Sequence, residues 1–144
     1  MGNPFVHIEL SADDVAAAKK FYKSIFDWKL EDSNMPGGMT YTMLDVGKGT
    51  GGGMTPKMMP QQPTAWLAYV EVADVKKTIA KAKSAGATVF VEYQPIGEMG
   101  AIGVFADPQG AALGVWESTK KAPAKRAAAK KKPAKKSAKK KGKR

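Results

Sequence analysis

A chain of 144 residues with 43% hydrophobic content is long enough for one packed domain, and its lack of cysteine excludes disulfides, thiolate metal sites and cysteine nucleophiles. The net charge of +11 is unevenly divided: 14 of the 24 Lys and Arg residues lie from Lys120 to Arg144 with no acid among them, so residues 1–119 keep ten against all 13 acids and are near −3. The opening MGNPFVHIEL has no basic-then-apolar leader pattern and no run of about eighteen apolar residues occurs, which predicts a soluble cytoplasmic protein with no membrane partner.

In the first strand, Phe5–Leu10, apolar Val6, Ile8 and Leu10 alternate with His7 and Glu9, so one face packs and the other carries chemistry. Ser11-Ala-Asp-Asp14 reads as a helix start in which Ser11 caps. Val15, Ala18, Tyr22, Ile25 and Phe26 then recur at helical spacing on one face, and the helix ends near Asp27. A second strand begins at Trp28, a third runs Tyr41–Val46, and a weak fourth covers Gly51–Met54. Its three glycines suggest a bend or a surface that another group approaches closely.

Residues Thr55–Pro63, with three prolines and no apolar period, form a linker. Trp66–Val72 alternates as strand five. Asp74 caps a shorter helix marked by Val75, Ile79, Ala82 and Ala85, and Gly86 closes it. Strand six is Thr88–Val91, strand seven Gly100–Ala106, and strand eight Ala111–Trp116 follows a turn at Asp107-Pro-Gln-Gly110. Each half therefore runs strand, helix, strand, strand, strand. Setting Asp14 on Asp74 aligns the halves at an offset of sixty, which places His7 opposite Leu67 and Glu9 opposite Tyr69.

The opening FVHIELSADDVAAAKKFYKSIFDW, the second entry WLAYVEVADVKKTIAKAKSAGATV and the close FADPQGAALGVW together resemble the vicinal-oxygen-chelate superfamily, the glyoxalase and bleomycin-resistance-like proteins. The resemblance implies an α+β fold of two βαβββ modules, about 4–55 and 64–117, whose curled mixed sheets surround a shared cleft in a domain of residues 1–117. It also implies a homodimer. Metal-dependent members place a His on each module's first strand and a Glu on each last strand around one ion, which polarises the substrate's oxygens. His7 matches the first of these, whereas the counterparts fall on Leu67, on Gly114 and within Gly51–Met54, so three of four ligands are missing. Glyoxalase I and extradiol dioxygenase activities are therefore not expected, and neither is a metal or other cofactor.

Strand alternation sends His7, Glu9, Tyr69, Glu71 and Trp116 to the cleft, where they are the expected ligand-binding residues for an unidentified small molecule. No catalytic residue is assigned. Residues 118–144, rich in Lys, Ala and Pro, have no large apolar side chain to bury and are similar to linker-histone tails; disorder and non-specific, salt-sensitive binding to nucleic acid or another polyanion follow. The cations expected to make those contacts are Lys125, Arg126, Lys130, Lys131, Lys132, Lys135, Lys136, Lys139, Lys140 and Lys141. Two alternatives stand beside the metal-free binding protein. One is a glyoxalase-like lyase or isomerase with an atypical metal held by His7, Glu9 and Glu71; the other is a nucleoid-associated protein whose body only dimerises.

Overall fold

The computed structural model describes residues 2–35 and 37–120. The elements in chain order are β1 (Phe5–Ala12), α1 (Val15–Ile25), β2 (Lys29–Asn34), β3 (Thr40–Asp45), β4 (Gly52–Pro56), β5 (Ala65–Glu71), α2 (Val75–Ser84), β6 (Thr88–Ile96), β7 (Gly100–Ala106) and β8 (Ala112–Ser118). All eight strands join one mixed sheet in the order β2-β3-β4-β1-β5-β8-β7-β6. Within each half the first strand pairs in parallel with the last, as β1 with β4 and β5 with β8, and the other pairings are antiparallel. The halves meet through β1 and β5, where Ile8 sits opposite Ala68. Those two residues are sixty apart in sequence, so the local pseudo-twofold axis passes through that pair.

Both helices start as their sequences dictate. An aspartate in extended conformation accepts a backbone N–H three residues on, from Ala17 to Asp14 and from Lys77 to Asp74, each at 2.9 Å. Asp14, not Ser11, is therefore the cap of α1: β1 runs on through Ser11 to Ala12, and the buried Ser11 hydroxyl instead accepts from the Gln62 side-chain amide. Gly86 after α2 has φ of +105°, the left-handed conformation expected of a helix-closing glycine. Several strands outrun their apolar patterns. β4 takes in Thr55 and Pro56 from the expected linker, β6 continues to Ile96 through two register shifts, and β8 reaches Ser118. Hydrogen bonding to a neighbouring strand carries these ends beyond what hydrophobic alternation marks.

Both helices lie on one face of the sheet. Under α2, Val75, Ile79 and Val115 are at most 2% exposed. Gly103 makes this closeness possible, since a Cβ there would stand 2.8 Å from Ile79. Burying each such aliphatic side chain contributes about 1.5–3 kcal/mol. Leu10, Ala12, Leu44 and Met54 form the other core, on which Val15, Ala18 and Tyr22 of α1 pack while only partly buried. The expected apolar face of α1 breaks down toward its end, where Ile25 is 53% and Phe26 47% exposed. Phe26 and Trp28 instead join Tyr22 and Trp66 in an aromatic group with ring centroids 4.7–6.3 Å apart.

Candidate ligand-binding site

The opposite, helix-free face carries the polar residues. Because Ile8 and Leu10 point to the helices, His7 and Glu9 point away from them, and the β1–β5 register sets His7 beside Tyr69. The β5–β8 register places Tyr69 beside Gly114 and Glu71 beside Trp116. All five residues expected in the cleft thus share this face.

Hydrogen bonds join three of them to a fourth residue that the sequence did not single out. Tyr41, on β3, lies with its Oη 2.6 Å from Nε2 of His7 and donates to Oε2 of Glu9 at 2.8 Å. Tyr69 donates to Oε1 of Glu9 at 3.4 Å. The His7 ring stacks on Tyr41 at 6.2 Å and meets Tyr69 edge-on at 5.9 Å. Glu71 and Trp116 stand outside this network. Glu71 is anchored through its backbone, which donates to Pro4 and accepts from the Asn3 side chain, and Trp116 packs against Gly100.

Tyr41 reaches β1 because the intervening strand offers no side chain in its way. Two strand spacings separate β3 from β1, about 10 Å, and the phenol crosses β4 over Gly53, where any Cβ would collide with the ring and hydroxyl. Gly114 does the same for Tyr69, whose ring occupies the space a Cβ would need. The triple glycine of β4 was the sequence signal for a close approach; the approaching groups are Tyr41 at Gly53 and the Ile8 backbone at Gly52.

Burial sets the protonation states. His7 is held below its ordinary 6.5 because burial disfavours the imidazolium. Burial raises the Glu9 carboxyl above its ordinary 4.5, and the two phenol hydrogen bonds offset only part of that. Both phenols are pushed far upward, first by burial and then by the negative charge of Glu9, so each remains a neutral group with a single proton. One proton cannot serve two partners. When Tyr41 donates to ionised Glu9, His7 must donate its Nε2–H to Tyr41, which fixes the neutral histidine as the Nε2–H tautomer and leaves Nδ1 an acceptor.

A divalent ion does not fit these donors. Glu9 pairs with Gly53 in register as Tyr69 pairs with Gly114, and these two glycines, which stand where the family resemblance would put last-strand carboxylates, are both overlaid by phenol rings. Leu67 fills the second histidine position. Among the described residues no three His, Cys, Asp or Glu side chains converge, and Glu71 does not join His7 and Glu9 as the rearranged metal site requires.

Two hollows lie elsewhere. One of about 370 Å³ opens between Asp13 and the Lys57–Pro60 loop, and an apolar one of about 120 Å³ lies beside Trp28 and Trp66. Among the described residues no helix is long and apolar enough to cross a membrane. The ten tail cations from Lys125 to Lys141 lie outside the described residues.

Two strand–helix–strand–strand–strand halves joined through β1 and β5 are the architecture of a glyoxalase-type protein. The sequence profile of the Glyoxalase/Bleomycin resistance protein/Dioxygenase superfamily matches residues 5–115, and the chain belongs to that family. It is 33% identical over 119 residues to the "Putative glyoxylase CFP32" of Mycobacterium bovis, a match covering 78% of this chain and 45% of that protein. It is 30% identical over 122 residues to the anthracycline biosynthesis protein DnrV of Streptomyces peucetius, covering 75% and 44%. The chain thus spans under half the length of these curated relatives. Methylmalonyl-CoA epimerase from Mycobacterium tuberculosis shares the fold, with a TM-score of 0.59 at 15% identity over 81% of this chain and 89% of that one.

Proposed function

We propose that residues 1–117 form a metal-free receptor for a small organic molecule, bound on the helix-free face around His7, Glu9, Tyr41 and Tyr69. The observation that carries this reading is that the phenols of Tyr41 and Tyr69 occupy the space over Gly53 and Gly114, glycines where the family resemblance would put carboxylate ligands. Aromatic walls with a few convergent polar groups are how small-molecule sites are commonly built. Glu71 and Trp116, next along the same face, extend the surface available to a larger ligand.

A thermal-shift screen of small molecules against wild type and His7→Ala tests it. Ligands that raise Tm in the wild type are expected to lose that effect in the variant, and shifts left intact would remove His7 from the site.

The basic segment extends the proposal. Thirteen Lys and Arg from Lys121 onward, without an aromatic residue, suit counterion-releasing contact with a nucleic-acid backbone and offer no base-stacking platform. The body then acts at, or is retained near, a polyanion, as a homodimer. Deleting residues 118–144 should abolish low-salt DNA and RNA affinity, and unchanged affinity would refute this part. Sedimentation of the same protein reads the dimer, and a monomer at micromolar concentration would refute that part.

A further inference from the structure

We infer that the ligand of the helix-free face is an organic ammonium, taken up as the missing counter-charge of Glu9 against the rings of His7, Tyr41 and Tyr69. The inference deepens, and rests on, the reading of this face as a small-molecule site.

Two observations carry it. The first is charge. Glu9 is a partly buried carboxylate on the central strand, and the ion pairs among the described residues, Lys19 with Asp32 and Lys57 with Asp13, lie elsewhere. Among the described residues its side-chain hydrogen-bond partners are two neutral phenols. A desolvated carboxylate held by hydrogen bonds alone gains most from a ligand that brings a positive charge.

The second is a count of protons. Tyr41 and Tyr69 both direct their single O–H at Glu9, and with the Tyr41 proton so placed the 2.6 Å contact between its Oη and Nε2 of His7 requires Nε2 to carry the hydrogen. Every donor in the cluster is consumed internally. What remains for a ligand is a set of acceptors: Nδ1 of His7, the phenol oxygens and the free lone pairs of Glu9. A carboxylate or phosphate ligand would meet only acceptors and a like charge. An ammonium supplies several N–H donors and a unit charge, and aromatic rings around it add cation–π attraction. A bare metal ion is excluded by the donor set described above, which has one carboxylate and one imidazole nitrogen facing two neutral phenols.

The chain contains a single histidine, so the imidazole nitrogen signals of the 15N-labelled full-length protein report on His7 alone. Three probes of one shape separate the outcomes at pH 7: benzylammonium, benzyl alcohol and benzoate. Benzylammonium should move the His7 signals saturably, at least about tenfold more tightly than benzyl alcohol, and Glu9→Gln should erase that preference. Equal or tighter binding of the alcohol or of benzoate at His7 overturns the ammonium assignment and leaves the small-molecule face standing. His7 signals unmoved by all three at millimolar concentration overturn both. A folded Glu9→Gln protein that keeps the tenfold preference overturns the role given to Glu9. The cation-to-alcohol comparison in wild type decides the question even if that variant does not fold.

Discussion

The two modules share an order of elements and differ in what their equivalent positions do. The second has the tighter helix seat, with Val75 and Ile79 of α2 at 0% and 1% exposure, whereas α1 of the first module has no buried residue. The first module has the chemistry, with His7 and Glu9 on β1 where β5 has Leu67 and Tyr69, and with Tyr41 on β3. A duplicated fold can thus place its most deeply seated helix and most of its polar cluster in different copies, and the β1–β5 pairing at Ile8 and Ala68 brings Tyr69 of the second copy to Glu9 of the first.

The largest effect expected from that division is in the helices. Ile79→Ala should cost about 2–5 kcal/mol by opening a cavity under α2, while Ile25→Ala on α1, already half exposed, should cost less than about 1 kcal/mol. Urea denaturation of both variants measures the difference, and equal costs would refute the asymmetry. Next comes Gly114→Ala, whose methyl overlaps the buried Tyr69 ring and should cost about 1–3 kcal/mol. Adding Tyr69→Leu should return part of that loss, so the double variant is more stable than the sum of the singles predicts.

Tyr41→Phe should cost about 0.5–1.5 kcal/mol, the range for one lost hydrogen-bonding group. Its sharper readout is the His7 imidazole. With the phenol gone, Nε2 loses the partner that fixes its proton, and the 15N spectrum should change from the Nε2–H form alone to a mixture of tautomers. An unchanged spectrum would show that Tyr41 does not set the tautomer.

The smallest effect is the pH dependence. Burial makes folded His7 resist protonation, so as pH falls through 6.5 the unfolded chain takes the proton first and stability is lost. Glu9 acts in the opposite sense: its folded carboxyl titrates above 4.5, so the cost of its buried charge is relieved as pH falls through that folded value toward 4.5. Denaturation midpoints from pH 7.5 to 4.5 should lose the first limb in His7→Gln and the second in Glu9→Gln.

How much of this was legible in the sequence follows from the range of each interaction. Alternation in Phe5–Leu10 and Trp66–Val72, the Asp74 cap and the sixty-residue offset are local or repeated signals, and they are enough for the order of elements along both modules. The faces of His7, Glu9, Tyr69, Glu71 and Trp116 follow from the same period of two. Tyr41 was missed because it meets Glu9 and His7 from 32 and 34 residues away and across an intervening strand. Only the glycine at 53 hinted at it, without naming what approaches. Ser11 was misread because a cap pattern and a strand end overlap there, and the continuing β1 ladder, paired with β4 and β5 at Ser11, won.

The proposal that His7 has no metal role is the claim on which the rest depends. Titrating the full-length protein with Ni²⁺, Zn²⁺ or Mn²⁺ while following the imidazole signals of its one histidine tests it directly, the paramagnetic ions being read as signal broadening. The account predicts no stoichiometric shift or broadening at His7 at micromolar metal. A one-to-one transition at His7 that Glu9→Gln abolishes would contradict it.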